Sequence, residues 1–279
     1  MIIANPIYDV VFKRLMENER VAKFFIGTLL DQTIESVEAK PQEFTHTDES
    51  SGVTVFRLDF IALIRTAEGE QKKILVEIQK AKKQTDLMRF RSYLGEQYKK
   101  EDLVEGKQTV LPITTIYILG FTLAGIETPC IKVDRQYYDL INNTVITRKN
   151  HFVESLTHDC FIVQANRITD RYQTRLDKLL SIFEQTHFTD EKRIVKQYEH
   201  EPDEEEVRLM TDILHHSGTD PEERKLIEIE QEAWRTINEM MADMADEVEK
   251  VTKALEEKDK VIEEKDKEIE ALKQRLNMK

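Results

Sequence analysis

The chain of 279 residues is 40% hydrophobic and 8% aromatic, enough for one core of ordinary size with an appendage, or for two small domains. Its net charge of −13 excludes a uniformly basic surface of the kind that holds nucleic acid through its phosphates, although a local basic patch stays compatible with it. Charged residues reach 34% because the C-terminal part is extremely polar, so the composition divides the chain into two different regions.

The opening MIIANPIYDVVFK lacks the basic stretch and apolar run of a secretory leader. Asn5 and Pro6 have the character of a helix N-cap and first-turn pair. Ile7, Val10, Val11 and Leu15, then Val21, Phe24, Phe25 and Leu29, come next at helical spacing. One or two amphipathic helices are therefore expected to open the chain. Asp9 and Lys13 stand four apart on one helix face, the spacing of a weak surface ion pair.

After a linker at 39–42, residues 43–47 fit a short strand that would pair with a central hairpin. That hairpin is expected in Val53 to Lys80, VTVFRLDFIALIRTAEGEQKKILVEIQK: an apolar strand at 55–64, a turn at 67–70 pivoting on Gly69, and a return strand at 73–79. Alternation sets Glu77 and Gln79 on one face and Ile78 and Lys80 on the other. Asp59, flanked by Leu58 and Phe60, is costly to bury unless it is hydrogen-bonded, protonated or holding a metal.

The polar break AKKQTD leads into a helix expected at about 86–99, on which Arg89, Tyr93 and Gln97 form one stripe with Tyr98 beside it. That stripe can meet a phosphate, Arg89 supplying charge and Tyr93 a hydroxyl or a stacking surface. Equally, Tyr93 can pack against the sheet while Arg89 snorkels outward. ITTIYILGF at 113–121 is apolar on both faces and is expected as a central strand. The helix before it makes a crossover, so this strand and 72–80 should be parallel neighbours. The apolar run at 112–126 is broken by Thr and Gly and falls short of the ~20 residues that span a bilayer; no membrane partner is expected.

Residues 131–138 and 144–148 suggest a hairpin turning at Asn142-Asn143, then a strand at 160–165 and a helix at 170–186 with Leu176, Leu179, Leu180 and Phe183 as its apolar stripe. Cys130 and Cys160 suit two reduced, buried thiols of a cytoplasmic protein better than a disulfide framework or a metal motif. The expected organisation is a domain at 1–188, an acidic linker with a short helix at 189–220, and one long helix at 221–279. His215 and His216, adjacent in the linker, face different ways and suit the surface better than a shared metal. Near the end, Val248, Leu255, Ile262, Ile269 and Leu276 recur every seven residues, with Val251, Lys258, Lys265 and Leu272 at the companion positions. A coiled coil at about 245–279, joining the chain into a homodimer or higher oligomer, is the preferred expectation; a single solvated helix rich in i,i+4 pairs is the alternative.

The triplet of Asp59, seventeen intervening residues and Glu77-x-Gln79 resembles the active-site core of the PD-(D/E)xK nuclease superfamily. Gln79 stands where that superfamily usually has lysine. The E-x-Q form is similar to one branch, the PD-(D/E)xK transposases or recombination-promoting nucleases. NPIYDVVFKRLM at 5–16 resembles that branch's opening D-x-x-F-K helix, and MRFRSYLGEQY at 88–98 and EGKQTVLPITTIYILGF at 105–121 extend the likeness over roughly the first 190 residues.

The resemblance implies an α/β fold with a restriction-endonuclease-like αβββαβ core and a mixed sheet. It implies Mg²⁺, or Mn²⁺, held by Asp59, Glu77 and the carbonyl of Ile78, with Asp9 approaching the same site. It also implies DNA as substrate. Gln79 cannot serve as a cation; it can orient a water or a phosphate oxygen, and Lys13 is the candidate to supply the missing charge. Two functions compete: a metal-dependent DNA endonuclease whose C-terminal helix brings two catalytic domains together, or an inert nuclease fold that recruits a partner through its coiled coil. Strand transfer by a transposase is weaker, because no helix-turn-helix with a basic recognition helix is legible.

Overall fold

Runs of Val, Ile and Leu at 60–66, 71–79 and 113–119 bury both faces of their strands. In the computed structural model, which describes residues 1–40, 45–48, 52–55, 59–80 and 84–236 and the isolated helical positions 239, 252, 258, 262 and 265, the chain divides into two units, Met1–Glu228 and Ile229–Lys279.

In chain order the first unit contains β1 (Ile2–Ala4), α1 (Asp9–Met16), α2 (Glu19–Leu30), β2 (Ile34–Ala39), β3 (Thr45–Asp48), β4 (Gly52–Val55), β5 (Phe60–Thr66) and β6 (Gln71–Gln79). It continues with α3 (Gln84–Tyr98), β7 (Asp102–Val104), β8 (Lys107–Thr109), β9 (Ile113–Leu119), β10 (Cys130–Val133), β11 (Tyr137–Asp139) and β12 (Thr144–Ile146). The last elements are α4 (His151–Leu156), β13 (His158–Gln164), α5 (Arg175–Phe183), β14 (Val195–Gln197) and α6 (Glu205–Thr219). Six strands form one mixed sheet in the order β10-β13-β9-β6-β5-β2. Strands β6, β9 and β13 run parallel, while β5, β2 and β10 are antiparallel to their neighbours.

The sheet carries a core on each face. On the larger side Ile74, Val76 and Ile78 of β6 pack with residues of α1, α2, α5 and α6, and Phe12, Phe25 and Phe183 meet with ring centroids 5.6 to 6.4 Å apart. Each such buried side chain contributes about 1.5–3 kcal/mol. On the other side Leu75 of β6 joins Ile61, Ile113, Phe90 and Tyr93 in a smaller cluster, which puts α3 over that face. Local capping agrees with these packings. The side chain of Asn18 accepts the amides of Arg20 and Val21 at the start of α2, and Thr174 and Asp177 form a reciprocal capping box on α5.

The central hairpin and the parallel pairing of 72–80 with 113–121 are present, as β5–β6 and as β6–β9. Several expectations change. The strand beside the central hairpin is β2, and the segment at 45–48 pairs with 52–55 in a sheet of its own. β2 carries little sequence signal because it has a single buried residue, Ile34. Residues 130–133 pair with β13, so the hairpin starts only at Tyr137. Asn5 is no helix cap: α1 starts at Asp9, and the Asn5 side chain spans to Arg193 O and Gln185 instead.

The acidic linker is not a linker. β14 pairs with β1, and Val207, Met210 and Leu214 of α6 are buried in the main core, because an amphipathic stripe lies under the EPDEEE charges. The first unit thus reaches Glu228. In the second unit residues 229–236 are helical, as are positions 239, 252, 258, 262 and 265; the heptad seam from Val248 to Leu276 lies almost wholly outside the described residues. No helix among the described residues is long and apolar enough to cross a membrane.

Candidate active site

Asp59 occupies a bend immediately before β5. One ladder step beyond the Phe60–Val76 pair, it comes level with Glu77 on the neighbouring strand. Its Oδ2 accepts the backbone N–H of Ile78 at 2.5 Å. Only 6% of Asp59 and 1% of Glu77 are exposed. Burial first, and then the negative charges of Asp9 and Glu77, hold the Asp59 carboxyl well above the usual carboxylate range; the Ile78 amide and Lys13 pull the other way. The structure therefore brings Asp9, Lys13, Asp59 and Glu77 into one electrostatic neighbourhood.

Alternation along β6 puts Lys73, Leu75, Glu77 and Gln79 on the α3 side. Gln79 is 9% exposed, and its Nε2 is buried with no hydrogen-bond partner among the described residues. An unsatisfied buried donor costs about 1–3 kcal/mol. Glu77 is in register with Tyr117 of β9, whose hydroxyl is pushed up by burial, by Cys160 and by Glu77. The Tyr117 ring lies 4.4 Å from that of Phe90 on α3.

The two described members of the α3 stripe are both buried. Tyr93 is buried in the small cluster and Gln97 is buried beside Lys73, whose Nζ donates to Gln97 Oε1 at 3.4 Å. Packing against the sheet, one of the two roles open to Tyr93, is what the geometry shows, and neither residue lies on an open surface. The side chain of Arg89 lies outside the described residues. His215 and His216 are exposed on α6, and Cys130 and Cys160 are free thiols, each partly buried.

Two features escape a reading by spacing. Lys80 Nζ sits 4.4 Å from the centre of the Tyr8 ring, placing a cation at the same end of β6, on the opposite face from Gln79; its one sequence signal is its place directly after E-x-Q. Lys73 forms a buried ion pair with Asp102 at 2.7 Å, where a lysine in an apolar strand gives no hint of its partner. Close approach at this end of the sheet is enforced at Gly120, whose amide donates to Gln79 O at 2.8 Å. A Cβ there would come within 3.1 Å of Lys80 O.

Among the described residues no group of three or more His, Cys, Asp or Glu is placed to hold a metal ion. The oxygen donors in this neighbourhood are the carboxylates of Asp59 and Glu77, and the Ile78 N–H is already taken by Asp59 Oδ2. Magnesium takes oxygen ligands, keeps several waters and commonly uses only one or two carboxylates, so two carboxylates are chemically sufficient for a hydrated divalent ion. Burial is the first cause of the raised proton affinity of Asp59; the smaller part, the negative charge of Asp9 and Glu77, is what such an ion would relieve. Comparison of the chain with protein-family models, with curated proteins and with solved structures finds no match.

Proposed function

We propose that the Met1–Glu228 unit is a divalent-metal-dependent DNA endonuclease of the PD-(D/E)xK recombination-promoting type, with a restriction-endonuclease-like core. The observation that carries this is the pairing of Asp59 with the Ile78 amide beside buried Glu77, where burial and then the charges of Asp9 and Glu77 hold Asp59 above its ordinary proton affinity. The sequence of α1 and α2, then β2, β5 and β6, the α3 crossover and parallel β9 supports the αβββαβ assignment.

In this proposal Asp59, Glu77 and the Ile78 carbonyl hold Mg²⁺ or Mn²⁺. A bound divalent ion supplies phosphate polarisation and a water of lowered pKa. The chain's own groups do the rest. Asp9 adds negative charge at the metal's edge, Lys13 offsets charge on the phosphate, and Gln79 Nε2 orients a phosphate oxygen or a water. Burial of Glu77 under α3 keeps its field unscreened. The test is cleavage of supercoiled plasmid by the full chain with Mg²⁺: Asp59→Ala and Glu77→Ala should each lose at least about a hundredfold, in line with the loss of a metal ligand or its support. Wild-type cleavage by the Glu77→Ala protein rejects the site.

One observation favours a second reading, an inert nuclease fold that acts as a scaffold. Glu77 is almost wholly covered, and Tyr93 and Gln97 are packed on the same face. In that case neither Mg²⁺ nor Mn²⁺ would alter thermal stability.

A further inference from the structure

Every residue of β9 is buried except Tyr117. The strand lies between β6 and β13, and its parallel register sets Tyr117 beside Glu77 on one side and Ile162 on the other. Residues level with one another in a ladder turn to the same face, here the face that α3 covers. Glu77 is 1% exposed, whereas Ile162, like Tyr117, is partly exposed. The cover over the carboxylate therefore ends at the Tyr117 ring, and a group that reaches Glu77 along this row from the β13 side passes the Tyr117 hydroxyl.

That hydroxyl is held and kept protonated. The ring rests 4.4 Å from the ring of Phe90, itself 1% exposed, at an interplanar angle of 57°. Burial, and then Cys160 and Glu77, push its proton affinity well above the ordinary tyrosine range, so near neutral pH the phenol is an O–H donor. It makes no hydrogen bond among the described residues. Gln79 stands two residues beyond Glu77 on the same face, its Nε2 buried with no hydrogen-bond partner among the described residues. Two neutral donors thus flank one carboxylate, the first about 4.8 Å across the sheet and the second about 7 Å along the strand. Side chains as long as Tyr and Gln close that spacing over a single tetrahedral oxyanion.

We propose that Tyr117 is a further catalytic residue of this site, its O–H holding a non-bridging oxygen of the scissile phosphodiester beside Glu77, together with Gln79 Nε2. The proposal rests on the endonuclease reading of Asp59 and Glu77. A donor fixed in buried surroundings stabilises the charge that develops on the phosphate without having to reorganise as it forms. Where a lysine would bring a full charge, a phenol and an amide bring dipoles. Tyr117 keeps its proton throughout: it donates a hydrogen bond and transfers nothing.

The experiment uses the full chain and Tyr117→Phe, which keeps the ring on Phe90 and removes only the hydroxyl. Plasmid cleavage with Mg²⁺ gives kcat and KM; affinity for a duplex oligonucleotide in Ca²⁺ and the rise of Tm with Mg²⁺ are read without the chemical step. We expect kcat to fall about tenfold to a hundredfold, with KM and oligonucleotide affinity within about twofold of wild type and the Mg²⁺ rise in Tm retained. A wild-type kcat in Tyr117→Phe overturns the proposal. So does a loss accompanied by weaker Mg²⁺ binding or lower stability, which marks a packing role for the hydroxyl. Full activity of Glu77→Ala, or no cleavage by the wild type, instead fails the reading of the site itself and this proposal with it.

Discussion

Asp59 takes its hydrogen bond from the peptide N–H of Ile78, the residue next to Glu77, at 2.5 Å. One acid is thus tied by its side chain to the backbone next to the other, at the end of the β5–β6 ladder. Rigid placement of like charges in a buried site costs stability by itself. That cost is where a site and a merely structural hairpin differ, and it can be measured.

Divalent metal should stabilise the folded chain through these two acids. At a hundred times Kd, binding to the native state alone adds about 2.7 kcal/mol, which for a unit of this size raises Tm by about 5–10 °C. Differential scanning fluorimetry with Mg²⁺ or Mn²⁺ reads this directly. Asp59→Ala and Glu77→Ala should abolish the shift, and a shift that survives both would place the metal elsewhere.

Without metal, pH should act through Asp59. Its native proton affinity lies above the unfolded value, through burial, Asp9 and Glu77, so between those two pKa values the folded state holds more proton than the unfolded chain. Stability therefore falls as pH rises from the ordinary carboxylate range through the raised native value, and levels off beyond it. Urea midpoints in EDTA across that window should show the slope in wild type and a flatter one in Asp59→Asn.

The buried pair of Lys73 and Asp102, 2.7 Å apart, gives an asymmetric prediction. Lys73 is 2% exposed, so Asp102→Ala strands a cation in the sheet and should cost about 3–5 kcal/mol. Lys73→Met removes the charge, keeps the stem that packs near α3, and should cost less. Equal losses in chemical denaturation would mean that packing, not charge, holds this corner.

Lys196 offers a second pH signature of opposite sign. It donates to the carbonyls of Ser181 and Glu184, at 3.3 and 2.6 Å, near the end of α5, and burial lowers its pKa to about 7. Above that value the native amine is neutral while the unfolded one still carries its proton. The unfolded state then binds more protons, and stability rises from about pH 7 towards the ordinary lysine range. Lys196→Met should remove that rise in a stability profile against pH.

Local spacing determined the parts of this protein that face choice alone can set. Alternation in KKILVEIQK put Glu77 and Gln79 on one face of β6, the apolar run at 113–119 required a central strand, and the intervening helix required that strand to be parallel to β6. Partners distant in sequence were decided only by the tertiary structure. IESVEA carries too little apolar signal to announce β2, yet it pairs antiparallel with β5 and forms the edge of the sheet. The acidic 201–206 stretch hid a helix whose Val207, Met210 and Leu214 fill the core beneath α1 and α2. Asp102 came to Lys73 in the same way. A periodic pattern says which way a side chain turns, whereas its partner is chosen by which packing removes the most apolar surface from water while leaving each buried charge beside a compensating one.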